Sequence, residues 1–494
     1  MSSNRSKKVV LKESRLKNTA KTLKTWLKEV WSYGTGKAGL TLLAVFVGLA
    51  IFALATLPPD YRYIWNSPKY WQDYPKLAPP EWIENFGYKY AKHESTSFTS
   101  PTNIKINNFK VFKYVMSYEL DVDDYPQDIV IKLQGIKVPR IGGKVAPLIL
   151  RVIVERPDKV KLRIFDSPIY LPPNTTVAYV EEPLMISADR NLIVSEVYAK
   201  LLKEATGVKL NTVVAVNYIF SKFTIISATE AETTPLKGHY RVILELHYPV
   251  TFKVKNPVEK AAITIVGNRY GFMGTDLRGR DIAQALLYGF PVALAIGFVT
   301  AITSTMIGLF TGAVSAYFGG LVDEFLQRVI DVLGNVPLLP ILILLVDITP
   351  VDLRLPVIMI VLIVFGWGGL AIVVRSMTLS IKEEPYVEAA RAIGAGSARI
   401  IFKHIIPQIL PYAAATLVFS VPNAILTEAG LSVLGLEHGW PTWGKVLASA
   451  RMSARYDIWW WILPPGILLA VTSLTFVLLG MAIETIVEPR LRTR

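Results

Sequence analysis

The sequence contains no cysteine and few charged residues. The absence of cysteine from all 494 residues excludes disulfide bonds, thiolate catalysis and cysteine-based metal sites. The five histidines include no pair at the spacing of helical metal ligands, so no bound metal ion is expected. Charged residues make up only 19% of the chain and hydrophobic residues 52%, which is too apolar for a wholly soluble protein of this length. We therefore expect a membrane protein.

The sequence also lacks a functional phosphate-binding loop. Residues 439–445 have the spacing of a Walker A motif, but Val446 stands where a serine or threonine would bind Mg²⁺. Residues 34–39 have the spacing of a dinucleotide fingerprint, but they follow a basic helix rather than a strand and open an apolar run. We therefore expect no catalytic residue, no ATPase site and no cofactor bound by this chain.

Long apolar runs are abundant. The first, residues 38–57, is long enough at about 1.5 Å per residue to cross a hydrocarbon core roughly 30 Å thick. Ala53-Leu54-Ala55 mimics a signal-peptidase site, but the run exceeds the usual signal core of ~7–15 residues, so we interpret it as an uncleaved anchor. Five further predicted spans are residues 287–313, 325–346, 355–374, 412–434 and 462–486.

Positive charge is concentrated near the N-terminus. Residues 1–37 hold ten lysines and arginines against Glu13 and Glu29, which predicts a cytoplasmic arm attracted to anionic lipid. No base-stacking or groove-reading module accompanies this charge, so nucleic acid is not an expected partner. Six spans return the C-terminus to the cytoplasm, where Arg490, Arg492 and Arg494 fit the positive-inside rule.

Residues 58–273 are rich in tyrosine and proline and predict a folded β-rich domain. Alternating β-branched and aromatic residues predict strands at residues 109–120, 148–155, 160–164, 212–220 and 240–254. One helix is predicted at residues 192–204. We expect a β-sandwich with a side helix, outside the cell because the first span leads outward. Asn174-Thr175-Thr176 is a candidate glycosylation site there.

Residues 383–407 place water-soluble helix chemistry between two apolar runs. Small or apolar residues recur every three or four positions from Val387 onward, which predicts an amphipathic helix. Gly394 stands where this helix would end, because glycine enters a left-handed conformation without a side-chain penalty. A second helix is predicted from Ala398 until Pro407 breaks it. The segment is predicted to be a helix-turn-helix between two spans.

The spacing of Glu388-Ala389-Ala390, Gly394 and Ile406-Pro407 resembles the EAA loop of ABC importer permeases. His404 replaces the isoleucine of the general pattern, which is similar to the dipeptide, oligopeptide and nickel branch. The resemblance implies that this loop fits a cleft on a cytoplasmic ATPase subunit, and that partner subunits bind ATP and Mg²⁺. An ordinary amphipathic cytoplasmic loop is the alternative on spacing alone.

Further motifs support the same branch. Gly274-Thr275-Asp276-Leu277-Arg278-Gly279-Arg280-Asp281 resembles the GTDxxGRD signature that precedes the second span, and we call this segment the signature loop. Pro79-Pro80-Glu81-Trp82 is similar to the family's Pro-Pro-x-Trp element, which lies shortly before that signature; here the two are far apart. The β-rich domain is therefore predicted to be inserted between them. The segments at residues 431–436, 443–444 and 488–491 are similar to later motifs of the branch.

Few ionisable residues fall within the predicted spans. Arg328 and Asp331 are three apart and can pair locally. Glu428 could line a transport pathway or bond a neighbouring helix, and the sequence does not choose between these roles.

Together these features predict an α-helical integral membrane protein of the cell membrane with six transmembrane helices. The resemblance implies the type I ABC importer permease fold, with residues 274–494 as permease core and residues 58–273 as an extracytoplasmic insertion. It implies a permease for di- or oligopeptides, partnered by a second permease, two ATPases and an external binding protein. Oligosaccharides or nickel are alternative substrates. A non-transporting, receptor-like or assembly membrane protein is the alternative of another class.

Overall fold

Two units divide the chain in the computed structural model. One comprises residues 1–66 and 284–494, and the other comprises residues 67–283. The structure describes residues 25–141, 144–146, 148–169, 179–180, 184–188, 216–227, 230–252 and 254–487. Asn174, the predicted helix at residues 192–204, most of the basic arm and the C-terminal motif at residues 488–491 lie outside the described residues.

The first unit is built from apolar helices. They are α1 (Gly34–Thr56), α2 (Tyr61–Asn66), α3 (Ile282–Phe318, whose first two residues belong to the second unit), α4 (Gly320–Asn335), α5 (Leu338–Ile348), α6 (Val351–Gly366), α7 (Gly368–Ile381), α8 (Pro385–Ala392), α9 (Ser397–Ile400), α10 (Ile406–Val433), α11 (Trp443–Met452) and α12 (Trp459–Val487). In the described part of the chain, five helical stretches are long and apolar enough to cross a membrane, or six if α4 and α5 form one broken span.

The predicted span at residues 325–346 is not one continuous helix. The chain there forms α4 and α5, which meet at a bend of 78°. Pro337 explains the break, because its ring disfavours a helical conformation for the residue before it, and Val336 is extended with φ −81° and ψ 126°. This segment is therefore either a broken span or a re-entrant loop.

Glycines bring two of the long helices into close contact. A Cβ built on Gly312 of α3 would lie 2.4 Å from the carbonyl oxygen of Ala371, and one on Gly308 would lie 2.8 Å from that of Trp367. Only glycine permits this approach, so the backbone of α7 packs directly against α3, as small residues allow between membrane helices. Leu370 and Val374 of α7 are buried in the same region.

The second unit contains two main antiparallel sheets. The four-stranded sheet has the order β1 (Glu94–Phe98), β15 (Lys260–Val266), β4 (Asp128–Gln134) and β11 (Leu184–Ser187). The five-stranded sheet has the order β2 (Thr102–Ile106), β3 (Phe109–Leu120), β14 (Gly238–Pro249), β8 (Leu148–Glu155) and β9 (Lys161–Ile169). The other strands form two-stranded ribbons: β5 (Ile136–Lys137) with β10 (Tyr179–Val180), β6 (Arg140–Ile141) with β7 (Lys144–Val145), and β12 (Ser221–Ser227) with β13 (Glu230–Pro235).

The two main sheets share one hydrophobic core. Ile131 of β4 and Ile263 of β15 belong to the same buried cluster as Tyr114 of β3 and Leu244 of β14. Alternation along the strands explains this, since β8 buries every second residue from Leu148 to Val154 while the others are only partly buried. The result is a two-layer β arrangement.

Several predicted strands occur as expected, and one does not. Strands β3 and β8 have the predicted bounds, β9 begins at Lys161 rather than at residue 160 and continues to Ile169, and β14 ends at Pro249 rather than at residue 254. The described part of the predicted strand at residues 212–220 is instead a 3₁₀ helix, Val216–Phe220. The Ser221 hydroxyl donates to the carbonyl oxygen of Asn217 at 2.8 Å and so closes this turn, a local bond that competes with strand pairing.

Candidate functional site

Residues 383–407, which resemble the EAA loop, are called here the predicted coupling loop. Its first helix is α8, Pro385–Ala392. Proline at its start has the fixed φ of a helix and lacks the N–H that would be unpaired there. Val387 and Ala390 are buried, whereas Glu388 and Ala389 are exposed. One face of α8 therefore packs inward, and the other presents a carboxylate beside a small side chain.

Gly394 ends this helix in the predicted left-handed conformation, with φ +87°. Its N–H donates to the carbonyl of Arg391 at 3.0 Å, and the N–H of Ala395 donates to that of Ala390 at 3.0 Å. This pair of bonds is a Schellman motif, which satisfies carbonyls at the helix end. A Cβ at Gly394 would meet no atom within 4 Å, so the backbone angle rather than crowding selects glycine here.

The second half of the loop joins the next span without a break. Residues Ile401–Ile405 form a π-helical turn between α9 and α10, and the N–H of Ile406 donates to the carbonyl of Ile401. The expected break at Pro407 is therefore wrong, because Pro407 falls in the first turn of α10. The widened turn precedes the proline, whose missing N–H could not continue the helical ladder.

The loop is anchored in the membrane helices through a buried cluster. Val387, Ile400 and Ile405 pack with Leu309 of α3, Val374 of α7 and Ile409 of α10. Ile406 is also buried, and His404 is half-buried with its ring centroid 6.3 Å from that of Tyr386. Ile393 remains 87% exposed at the tip, beside the exposed Gly394. The loop therefore has an exposed tip around Ile393 and a buried side that contacts α3, α7 and α10.

The signature loop is closed by its own side chains. Asp276 accepts hydrogen bonds at Oδ1 from the N–H groups of Arg278 and Arg280 at 2.8 and 2.9 Å. Its Oδ2 pairs with Nε of Arg280 at 2.6 Å, and both side chains are nearly fully buried. Thr275 donates to the carbonyl of Pro75 and accepts from the N–H of Ala78. Gly274 and Gly279 have φ +70° and +81°, and Asp281 is also buried.

The Pro-Pro-x-Trp element lies beside the signature loop in the structure, although they are far apart in sequence. The N–H of Tyr270 donates to the carbonyl of Pro79 at 3.0 Å, and the indole N–H of Trp82 donates to that of Phe272 at 2.7 Å. The N–H of Asn268 donates to the carbonyl of Ala91 at 2.8 Å. The chain therefore leaves this region after Ala91 and returns beside Ala91 at Asn268.

An aromatic cluster lies against these segments. His93 stacks on Tyr74 with centroids 6.2 Å apart, and Tyr270 meets both rings edge-on at 5.2 Å. Burial lowers the pKa of His93 to about 4 and, with the nearby carboxylate of Asp281, raises the pKa of Tyr270 to about 12. Both rings are therefore neutral at physiological pH and act as packing surfaces.

Comparisons with known proteins identify the family. Residues 304–493 match the family of binding-protein-dependent transport system inner membrane components. Over 223 residues the chain is 34% identical to the oligopeptide transport system permease protein OppC of Bacillus subtilis (strain 168), with 45% of this chain and 72% of that protein covered. The chain belongs to this family of ABC importer permeases. The permease is also 33% identical over 223 residues to the dipeptide transport system permease protein DppC of the same organism, covering 45% and 69%.

Other relatives of the permease are similar at comparable levels. OppC of Haemophilus influenzae (strain ATCC 51907 / DSM 11121 / KW20 / Rd) is 36% identical over 232 residues, with 47% of this chain and 73% of that protein covered. Among solved structures, an inward-facing MetNI methionine ABC transporter chain gives a TM-score of 0.31 at 22% identity, covering 42% of this chain and 97% of that chain.

Glu428 of the permease is a buried hydrogen-bond acceptor. Its Oε1 accepts from Ser432 at 2.8 Å, from Nε2 of His438 at 2.7 Å and from Thr442 at 2.9 Å. The N–H of Trp440 donates to Nδ1 of His438 at 3.3 Å, which leaves the proton on Nε2. Glu428 therefore bonds neighbouring segments, and its role in a transport pathway stays a prediction.

A cavity of about 260 Å³ lies among the helices beside this cluster, and Glu428 is not among its described lining residues. Hydroxyl and amide groups line it together with apolar side chains; the polar ones are Thr300, Ser304, Ser420, Asn423 and Thr427. The sequence analysis did not select these residues, because neutral hydroxyls on apolar helices give no distinctive pattern and often bond their own backbone, as Ser304 does with Thr300.

The helical unit contains the predicted local ion pair and also a pair between distant residues. Arg328 and Asp331 are 4.0 Å apart and largely exposed. By contrast, Arg375 of α7 binds Asp323 of α4 through two hydrogen bonds of 2.6 Å, and Ser315 donates to the same carboxylate. Such bidentate pairing fixes orientation. These partners are 52 residues apart, so no local spacing could indicate them.

No cluster of residues suited to hold a metal ion occurs among the residues that the structure describes.

Proposed function

We propose that this chain is one of two transmembrane subunits of an ATP-driven importer that moves peptides from an external binding protein into the cytoplasm. Relatives named as oligopeptide and dipeptide transport permeases support the substrate class. The sequence offers no functional phosphate loop, so ATP and Mg²⁺ belong to two partner ATPases. A second, homologous permease completes the membrane part.

The geometry of the coupling loop carries this proposal. Glu388, Ala389 and Ile393 are exposed. Val387 and Ile405 are buried and pack the loop against α3, α7 and α10. An ATPase cleft that binds these exposed residues would therefore move α3, α7 and α10 together. Such coupling requires the ATPases to bind the loop differently in outward-facing and inward-facing states.

The proposed topology places both termini and this loop in the cytoplasm and the unit of residues 67–283 outside. The N-terminal basic arm and the C-terminal arginines support this orientation. Because the chain leaves and returns at Ala91 and Asn268, we treat the β sheets as an insertion into an otherwise compact permease. Its extracytoplasmic position would bring it near the binding protein.

Substituting Ala389 with glutamate tests the coupling assignment. Ala389 is exposed, so Ala389→Glu adds charge and bulk to the exposed surface of the loop without disturbing the buried cluster. We expect assembled transporter with ATP-dependent peptide uptake reduced at least about tenfold, because a cleft that fits alanine would have to bury a carboxylate. The measurement is uptake into vesicles together with co-purification of the ATPases.

Two controls interpret that result. Ser380→Glu adds the same charge at an exposed position before the loop and should leave uptake near the parent value. Ala390→Glu places the carboxylate in the buried cluster and should instead lower folding yield. Normal uptake by Ala389→Glu in an assembled complex would refute the assignment of the loop.

A further inference from the structure

A cleft of about 630 Å³ lies within the unit of residues 67–283. Three segments line this cleft: residues 68–76, the middle of the signature loop at Leu277 and Arg278, and the edge of the four-stranded sheet at Gln127 and Asp128. The volume is within the range of about 300–1,000 Å³ that is usual for small-molecule sites.

The signature loop uses its residues in two different ways. Thr275, Asp276 and Arg280 are buried and bonded within the unit. Leu277 and Arg278, the two positions that the signature leaves unspecified, are exposed and line the cleft. The residues that the signature specifies are therefore held by hydrogen bonds within the unit, and the two that it leaves unspecified line the cleft.

The charge of the described lining is mainly positive. It includes Lys69, Lys76 and Arg278 against the single carboxylate of Asp128. That carboxylate already accepts the N–H of Ile129 at 2.7 Å and the hydroxyl of Ser187. A ligand group that enters this lining is therefore favoured if it is an anion.

Gln127 holds the backbone of one of these cations in place. Its side-chain amide accepts from the N–H of Lys76 and donates to the carbonyl of Lys76, both at 2.8 Å. The ring of Tyr74 and the side chains of Pro68 and Leu277 supply apolar lining beside the cations. The cleft thus combines positive charge with apolar surface.

We propose that this cleft binds a short peptide through its free C-terminal carboxylate, with Lys76 and Arg278 as the anion-binding groups. The inference rests on the proposed function, which supplies the peptide. A carboxylate next to apolar side chains matches the lining in both charge and polarity, and arginine can bind a carboxylate through two hydrogen bonds. The site would hold peptide on the β-rich unit before it enters the membrane helices.

Calorimetric titration of the full chain in phosphatidylcholine nanodiscs tests this site. The probes are tetra-alanine and its C-terminal amide. We expect the free acid to bind at least about tenfold more tightly than the amide, because a charged hydrogen-bond partner is lost in the amide. The double variant Lys76→Gln, Arg278→Gln should lose this preference, whereas Lys105→Gln, an exposed lysine on β2, should keep it.

Equal affinities for acid and amide, or an unchanged preference in the double variant, would overturn the proposal. Nanodiscs with anionic phosphatidylglycerol form a second arm, and loss of peptide binding there would show that the cleft takes a lipid headgroup instead. Peptide uptake by the assembled importer distinguishes failure of the cleft proposal from failure of the proposed transport function. Uptake without cleft binding rejects the cleft alone, and cleft binding without uptake rejects the proposed transport function.

Discussion

At the scale of single residues, buried hydrogen bonds explain positions that the sequence left ambiguous. Glu428 is 2% exposed and has three side-chain donors around Oε1, one of them the imidazole of His438. Burying a carboxylate is costly unless donors surround it. The cluster therefore ties the end of α10 to the segment that leads into α11.

Replacing Glu428 with alanine should strongly destabilise the helical unit. The change leaves the three donors without their shared acceptor, and each buried unsatisfied group costs about 1–3 kcal/mol, so we expect a loss of about 3 kcal/mol or more. The measurement is the thermal unfolding midpoint of the purified chain in detergent. Glu428→Gln keeps an acceptor oxygen and should lose less, and Glu484→Ala removes an exposed carboxylate as the control. Equal midpoints for Glu428→Ala and Glu484→Ala would contradict this account.

At the scale of elements, the β sheets have adjacent chain ends, as the proposed insertion requires. Strand β1 pairs with β15 from Glu94 opposite Ile265 to Phe98 opposite Ala261, so the first and last strands of the second unit are neighbours. Antiparallel pairing of this kind closes the two chain ends on each other. The Pro-Pro-x-Trp element and the signature loop can therefore keep their contacts independently of the strands.

Replacing residues 92–267 with two glycines should preserve the remaining protein. Ala91 and Asn268 are already joined by a 2.8 Å hydrogen bond, so a short link spans them without strain. We expect a monodisperse membrane protein in size-exclusion chromatography. A control deletion of residues 99–267 keeps β1 but removes its partner β15, and the exposed edge should promote aggregation. Aggregation of both variants to the same extent would argue against an independent insertion.

At the scale of the whole molecule, the proposed topology places the coupling loop and the β sheets on opposite sides of the membrane. The sequence has no cysteine, so single cysteines report position without background. Ser397→Cys lies at an exposed start of α9, and Ser100→Cys lies at an exposed turn between β1 and β2.

A membrane-impermeant maleimide should label Ser100→Cys in intact cells and Ser397→Cys only after permeabilisation. The cysteine-free parent provides the blank, and labelling of both variants after permeabilisation shows that both sites are accessible. Labelling of both in intact cells, or the reverse order, would refute the proposed orientation.

Local patterns determined much of this protein. Apolar length predicted the long helices, alternation predicted β3 and β8, and Gly394 was expected at the end of α8 because few residues adopt φ +87°. These features depend on neighbours in the chain. The motifs around Glu388 and Gly274 likewise predicted the permease family before any contact was known.

Only the tertiary structure decided the contacts between distant residues. The bidentate pair of Arg375 with Asp323, the acceptor role of Glu428 and the cleft beside Arg278 join residues from separate segments. The bend before α5 and the π-helical turn before Pro407 also emerged only there, since a proline predicts a disturbance but not how the chain accommodates it. Sequence periodicity records which face of an element is apolar; it does not record which distant element covers that face.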